Sequence, residues 1–310
     1  MSPVANALSL IQKASKITLL THYKPDPDGI SACAALDHIL RKMGKTVQAV
    51  YPTLPDLVIK RQPQDVLINS HTLQPDLLIA CDTANYDRLY YPDAFKNIPL
   101  INIDHHISNS IQGTVNIVNG VAASTCEELF YLMQEWFGDL FDSYTAECLL
   151  YGILYDTQVF RTQMTTARTM DSALGCINLG ANLFSLSREL LTHKHATMIK
   201  LWGDVLSRLV IDEAKNAAWA QVHVEDLKRH NLDQDAMAGF VNLMADTSPL
   251  DVLIVFQETP DNKTKVSIRS KKRDINALAQ QFGGGGHKNA AGVLMPMPIK
   301  EAVAALTGAL

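Results

Sequence analysis

The stretch Thr21-His22-Tyr23-Lys24-Pro25-Asp26-Pro27-Asp28-Gly29 sets one imidazole and two carboxylates within seven residues, on a segment stiffened by two prolines. The same residue types recur at Cys81-Asp82 and at Asp104-His105-His106, and Asp156 closes the apolar run CLLYGILY. Each piece alone is weak, because an Asp after a strand is often a helix cap and a His–Asp pair is often a loop hydrogen bond. Jointly they say more. That many carboxylates gathered at one point repel one another and titrate badly unless cations stand between them. A pair of divalent cations removes the conflict. Mixed imidazole and carboxylate donors suit Mn²⁺ better than a pure Mg²⁺ site, with Mg²⁺, Co²⁺ and Fe²⁺ left open.

The elements that must position these groups follow from periodicity. Residues 17–21 (ITLLT) and 46–51 (TVQAVY) read as strands. Between them Ile30, Cys33, Leu36, Leu40 and Met43 recur at helical spacing, and Gly44 stands where that helix would stop. A strand–helix–strand unit favours a parallel sheet. Residues 77–81 (LLIAC) and 100–103 (LINI) add two buried strands. Three strands therefore each end in Asp or His, and ligands of open α/β sheets gather at the carboxyl ends of strands. Helices are expected at about 124–137, 143–155, 166–180 and 186–210. Strands of a separate sheet are expected at 217–224, 252–258 and 265–270, then a helix at 274–282 running into Gly283–Gly286. The fold class is α/β in two domains: 1–186 with the metal-ligand residues, a helical linker over 187–214, and a smaller α/β domain over 215–310.

Composition bounds the function. The chain has 310 residues, 47% hydrophobic and 19% charged, with a net charge of −5. Such a chain is globular, and non-specific grip on long duplex nucleic acid is disfavoured, whereas short anionic ligands remain within reach of a metal or a local basic pocket. Five scattered cysteines without a C-x-x-C pair speak against a disulfide framework or structural zinc and for a reducing cytoplasm. The amino-terminal residues do not read as a signal peptide, and no apolar stretch is long enough for a membrane span.

The order His22-x-x-Pro25-Asp26-x-Asp28, Asp82, Asp104-His105-His106, Asp156-Thr157 resembles the DHH phosphoesterase superfamily. Gly283-Gly284-Gly285-Gly286-His287-Lys288-Asn289-Ala290-Ala291-Gly292 resembles the signature of the DHH-associated C-terminal domain. Together they span almost the whole chain, with nearest likeness to the two-domain nanoRNase/pAp phosphatases, pAp being adenosine 3′,5′-bisphosphate. The resemblance implies that His22, Asp26 and Asp82 hold one Mn²⁺, and that Asp28, Asp82, His105 and Asp156 hold the other, with Asp82 bridging. It implies that His106 meets the scissile phosphate or leaving oxygen and that Asp104 orients His105 or His106. It also implies an active site in the cleft between domains. One departure stands out: Asp28-Gly29-Ile30-Ser31-Ala32 replaces the usual Asp-Ala-x-Gly-Ser and is similar to the RecJ-type exonuclease branch.

In the C-terminal part, glycines allow close backbone approach and an anion-binding nest, and His287 and Lys288 follow directly. Arg269, alternating within VSIRS, is the candidate for a bidentate phosphate contact. The resemblance supports Arg269, Gly285, Gly286, His287 and Lys288 as substrate contacts. Lys271 and Arg273 read as a solvated face, Ser124-Thr125 as a helix start, and Trp202 and Trp219 as core. Arg161 stands open between cleft and helix surface. His193, His195, His223 and His230 show no partner pattern. The expected activity is two-metal hydrolysis of very short single-stranded RNA or DNA to mononucleotides and of pAp to AMP, with no membrane partner and a homodimer left open. The competing readings are a longer single-strand exonuclease, an exopolyphosphatase or linear-dinucleotide phosphodiesterase, an inorganic pyrophosphatase, and a nucleotide sensor without catalysis. A sensor should show broken ligand positions, and all six are intact.

Overall fold

The computed structural model describes residues 2–55, 59–191 and 196–310. The chain divides into two compact units, Met1–Thr192 and His193–Leu310. In the first, α1 (Pro3–Lys13) is followed by β1 (Lys16–Leu20), α2 (Pro27–Lys42), β2 (Thr46–Tyr51), β3 (Val66–Ile68) and β4 (Leu77–Cys81). β5 (Leu100–Asp104), β6 (Val115–Val118), α3 (Thr125–Phe137), α4 (Ser143–Asp156), α5 (Ala167–Asn178) and α6 (Leu183–Leu191) complete it.

Among the described residues the strands form a six-stranded sheet in the order β3-β2-β1-β4-β5-β6. Every pairing is parallel. The chain leaves β1 toward one edge and later returns through β4 toward the other, so the order reverses between β1 and β4. That switch point is where the carboxyl ends of neighbouring strands open a crevice. Alternate residues of each strand face opposite layers. Ile17, Leu19, Val47 and Ile79 pack under the helices with Leu36, Leu40, Leu129 and Leu149. Leu20, Val50, Leu78 and Ala80 pack on the other face with Phe95, Leu100 and Ile111. All five cysteines are buried and free.

The second unit contains α7 (Ala196–Leu206), β7 (Val210–Asp212), β8 (Ala217–Val222), α8 (Val224–Arg229) and α9 (Phe240–Thr247). It continues through β9 (Val252–Glu258), β10 (Thr264–Ser270), α10 (Ile275–Gln280), β11 (Gly285–His287), β12 (Ala290–Met295) and α11 (Ile299–Gly308). Its sheet runs β11-β12-β10-β9-β8-β7, antiparallel except for the parallel pair β8–β9. One face packs on α10 and α11 through Val266, Ile268, Leu278 and Leu306. Part of the other packs on α7 and α9 through Leu201, Phe240, Leu253 and Val255.

The helix expected over 186–210 is found as α6 and α7, with 192–195 outside the described residues, and it ends at Leu206. It stops there because the β-branched Val210 and Ile211 pair with Trp219 and Ala218 instead. Among the described residues no helix is long and apolar enough to cross a membrane.

Candidate active site

β1 and β4 flank the switch point, and their carboxyl ends deliver His22 and Asp82 side by side. His22 Nε2 lies 3.5 Å from Asp82 Oδ2 and 3.6 Å from Asp26 Oδ1. From β5, His105 Nε2 lies 3.5 Å from Asp82 Oδ1 and 3.4 Å from Asp156 Oδ2, which ends α4. Among the described residues three groups of potential ligands result: His22, Asp26 and Asp82; Asp28, His105 and Asp156; and Asp82, His105 and His106. Asp82 has the left-handed backbone, φ 56°, a conformation that costs a non-glycine residue energy and turns its carboxylate between the two imidazoles.

The imidazoles are held by their far nitrogens. His22 Nδ1 sits 2.8 Å from the Tyr23 carbonyl and His105 Nδ1 3.4 Å from that of Ala122, so the tautomer with a proton on Nδ1 leaves each Nε2 a lone pair toward the carboxylates. His106 differs: its Nδ1 lies 2.8 Å from Asp104 Oδ1, and Nε2 is the nitrogen left over. Asp104 also accepts from the His105 amide and from Asn109 Nδ2. Of the two histidine side chains it was expected to orient, it orients that of His106.

Asp26 is both the N-cap of α2, accepting from the Asp28 and Gly29 amides, and a member of the cluster. It caps the helix and also belongs to a group of potential ligands. Asp28 is fully buried, and its carboxylate accepts from the amides of Thr125 (2.7 Å) and Cys126 (3.1 Å) in the first turn of α3. Free amides and the positive end of the helix dipole suit an anion there. The Thr125 hydroxyl donates to Asp82 Oδ1 at 3.2 Å. Ser124 caps α3 as expected, accepting from the Glu127 amide. That first turn is fastened by buried Glu127, which accepts from the Ala123 amide, Thr169 Oγ1 and Arg168.

Charge crowding is severe. Burial, reinforced by the Asp82 charge, raises Asp28 to about 7. Burial and the charges of Asp28 and Asp82 push Asp156 well above the carboxylate range. Burial pulls His22 down, but the neighbouring Asp26 and Asp82 carboxylates outweigh it and carry the imidazole up to about 10. Asp82 is lowered despite burial, by the neighbouring imidazoles of His22, His105 and His106. The donor set fits divalent cations. The Nε2–oxygen separations of 3.4–3.6 Å are long for hydrogen bonds and close to the spacing of neighbouring ligands bonded to one ion at roughly 2.1 Å. Buried Thr21 Oγ1, next to Gly29, has no hydrogen-bond partner among the described residues, another sign of polar content still to be satisfied.

Sequence reasoning missed several contributors. Thr125 and Cys126 act largely through backbone amides, which any residue carries. Gly152 acts by lacking a side chain: a Cβ there would lie 2.6 Å from Asp28 Oδ1. Its position within CLLYGILY, one α-helical turn before Asp156, was the available signal.

In the second unit, register joins the expected substrate contacts. Arg269 pairs with Ala290, which pairs with His287; Ser267 pairs with Gly292, which pairs with Gly285. Directly opposed residues share a face, so Arg269 and His287 lie on one face with Cα atoms about 10 Å apart. The expected glycine nest is instead an edge strand, β11. Gly283 has φ 77° and closes the turn, and a Cβ on Gly286 would lie 2.6 Å from Ala291 Cα, whereas Gly285 has open space. His287 and Lys288 are exposed. Arg269 donates to Asn242 and to the Ile268 carbonyl, and burial pulls its pKa down. With Lys265, Ser267, Met237 and Val241 it lines a cavity of about 130 Å³. A larger cavity, about 480 Å³, lies at the amino edge of the first sheet beside Thr46, Gln48 and Asp65, and none of the potential metal ligands line it.

Other sequence expectations resolve simply. Lys271 is exposed, but Arg273 pairs with Asp251 and donates to the Lys215 carbonyl, so it is a structural clamp. Trp202 packs on Phe240 and Trp219 against the second sheet's core. Arg161 is exposed and donates to the Gln158 carbonyl. His223 faces Glu258 and His230 faces Asp204; His193 and His195 lie outside the described residues.

Comparison with known proteins matches this geometry. Residues 16–153 match the DHH family, N-terminal domain, and residues 217–309 match the DHHA1 domain. The chain carries a DHH domain and a DHHA1 domain. The pair places it among the DHH-family phosphoesterases, and the DHH domain contains the entire cluster except Asp156, three residues beyond the match. The chain is similar to the bifunctional oligoribonuclease and PAP phosphatase NrnA of Bacillus subtilis, 29% identical over 89% of this chain and 88% of that one. It is also similar to the Thermus thermophilus protein of that name, 27% identical over 95% and 88%. An exopolyphosphatase-related protein from Bacteroides fragilis shares the fold, with a TM-score of 0.89 at 23% identity over 99% of this chain and 95% of that one.

Proposed function

We propose that the protein hydrolyses very short single-stranded oligonucleotides, dinucleotides included, to mononucleotides, and pAp to AMP. The observation that carries this reading is the interlocking of three potential ligand groups through Asp82 and His105 at the sheet's switch point. The relatives named for oligoribonuclease and PAP phosphatase activity support the substrate class.

In this reading His22, Asp26 and Asp82 hold one divalent cation, Mn²⁺ by donor type, and Asp28, Asp82, His105 and Asp156 hold the second. When bound, the cation pair would lower the pKa of a water so that, once deprotonated, it can attack phosphorus, and would supply charge to meet the phosphoryl oxygens. The chain's own groups do the rest. The Tyr23 and Ala122 carbonyls fix the imidazole tautomers, and the α3 amides fix Asp28. Asp104 holds His106 by Nδ1, leaving Nε2 to meet a phosphoryl or leaving oxygen. The domain over 1–186 performs the chemistry, and the domain over 215–310 binds the substrate's far end. There Arg269, His287, Lys288 and the backbone at Gly285 and Gly286 take a phosphate. A tethered far end selects short substrates.

The test is hydrolysis with Mn²⁺ of a 5′-phosphorylated RNA dinucleotide, pAp, a long single-stranded RNA and pyrophosphate, with Asp82→Ala in parallel. Turnover of the dinucleotide and pAp, lost in Asp82→Ala, is expected. Preference for long RNA would move the protein to the exonuclease branch. Turnover of pyrophosphate alone would overturn the role given to the DHHA1 domain.

A further inference from the structure

We infer that Arg88 is a second phosphate-gripping residue, on the DHH domain itself, closing on a non-bridging oxygen of the substrate beside the metal cluster. The inference rests on the phosphoesterase reading above and names a residue that reading does not use.

Arg88 lies in the loop after β4, and its carbonyl accepts from the Tyr23 amide at 2.6 Å, so its backbone is fastened to the loop that carries His22. Its Nη2 stands 2.9 Å from His22 Nδ1 and 3.5 Å from the Tyr23 carbonyl, one imidazole ring away from the ligand nitrogen. The side chain is half-buried. Arg41, Arg61, Arg168, Arg208, Arg229 and Arg273 each face a carboxylate within 4.0 Å. Among the described residues Arg88 faces none. A guanidinium has five donors and no acceptor, so its hydrogen-bonding capacity here is mostly unspent.

Both of these contacts are made by Nη2, so among the described residues the Nε and Nη1 donors of the fork are left to meet an anion at the cluster. Four cluster carboxylates already offset two divalent ions, which leaves the phosphate's own charge to be met. A planar fork grips two phosphate oxygens at once, as a lysine cannot.

The experiment compares wild type, Arg88→Ala and Arg88→Lys for pAp and dinucleotide hydrolysis with Mn²⁺, for AMP and inorganic phosphate binding by calorimetry, and for melting temperature. Arg88→Ala is expected to raise KM roughly 10- to 100-fold and weaken AMP binding in parallel, with kcat within about threefold. The Mn²⁺ dependence and melting temperature stay as in wild type, and Arg88→Lys recovers part of the loss. Unchanged KM and AMP affinity would overturn the assignment. So would a shifted Mn²⁺ dependence that accounts for the whole defect, since Arg88 would then only position His22. If wild type turned over none of the substrates, the proposed function would fail by itself. Phosphate binding undiminished in Arg88→Ala would still sink the inference in that case.

Discussion

Asp104 shows how much one side chain can decide. One carboxylate oxygen accepts from His106 Nδ1 and the His105 amide, and the other accepts from Asn109 Nδ2. An asparagine cannot serve all three, because its own NH₂ would face a donor. Asp104→Asn is therefore expected to lower kcat by roughly 10- to 100-fold with little change in KM, read from steady-state kinetics on pAp. An unchanged kcat would remove Asp104 from the machinery. At this scale the potential ligands were legible in the sequence because metal chemistry resides in side-chain type, and Asp and His announce it. Arg88, Thr125 and Gly152 were not legible. An arginine on a loop, a backbone amide and a missing Cβ carry no chemical label until a neighbour is in place.

Elements set how tightly those groups are held. Gly152 lets α4 pass close to the carboxylate of Asp28, and a methyl group would meet Asp28 Oδ1 and Cys126 Sγ. Gly152→Ala is expected to cost about 1–3 kcal/mol in urea unfolding through overpacking and to weaken Mn²⁺ binding as Asp28 is displaced. Full Mn²⁺ affinity in that variant would contradict the packing argument. At the other end of α4, Asp142 caps the helix by accepting from Thr145 and faces Lys42 and His38. Burial opposes its ionisation, but Lys42 and His38 outweigh burial and hold the carboxyl well below the usual range. A lowered folded pKa contributes stability above the unfolded value near 4, and that stability is lost as pH falls through the folded value. Asp142→Asn keeps the cap and removes the charge. It should be less stable than wild type at pH 7, by under about 1 kcal/mol because the pair is partly solvated, and the gap should be narrower at pH 3, closing only below the lowered folded value. Urea midpoints at the two pH values decide it. The long amphipathic helices and apolar strands were legible as periodicity. The three-residue β3 and β11 were not, being too short to show a period.

On the scale of the whole molecule, the proposed function divides the labour between the two units. Mn²⁺ should raise the melting temperature of wild type, since a ligand at about 100 times its Kd adds roughly 2.7 kcal/mol. Asp82→Ala should not respond, whereas Arg269→Ala should keep the full response and lose substrate affinity. A calorimetric scan with and without Mn²⁺ separates these outcomes, and a lost Mn²⁺ response in Arg269→Ala would refute the division. The sequence by itself determined the fold class and the candidate ligands: the residue types able to ligate, their order along the chain, and the alternation of strand and helix. These reside in residue type and local period. Only the tertiary structure decided adjacency. The strand order puts β1 beside β4, so that His22 meets Asp82. It brings the first turn of α3 onto Asp28 across 97 positions of sequence. It sets Arg269, Ala290 and His287 in one register. Such pairings arise from packing and hydrogen-bond register between distant segments, which no local pattern encodes.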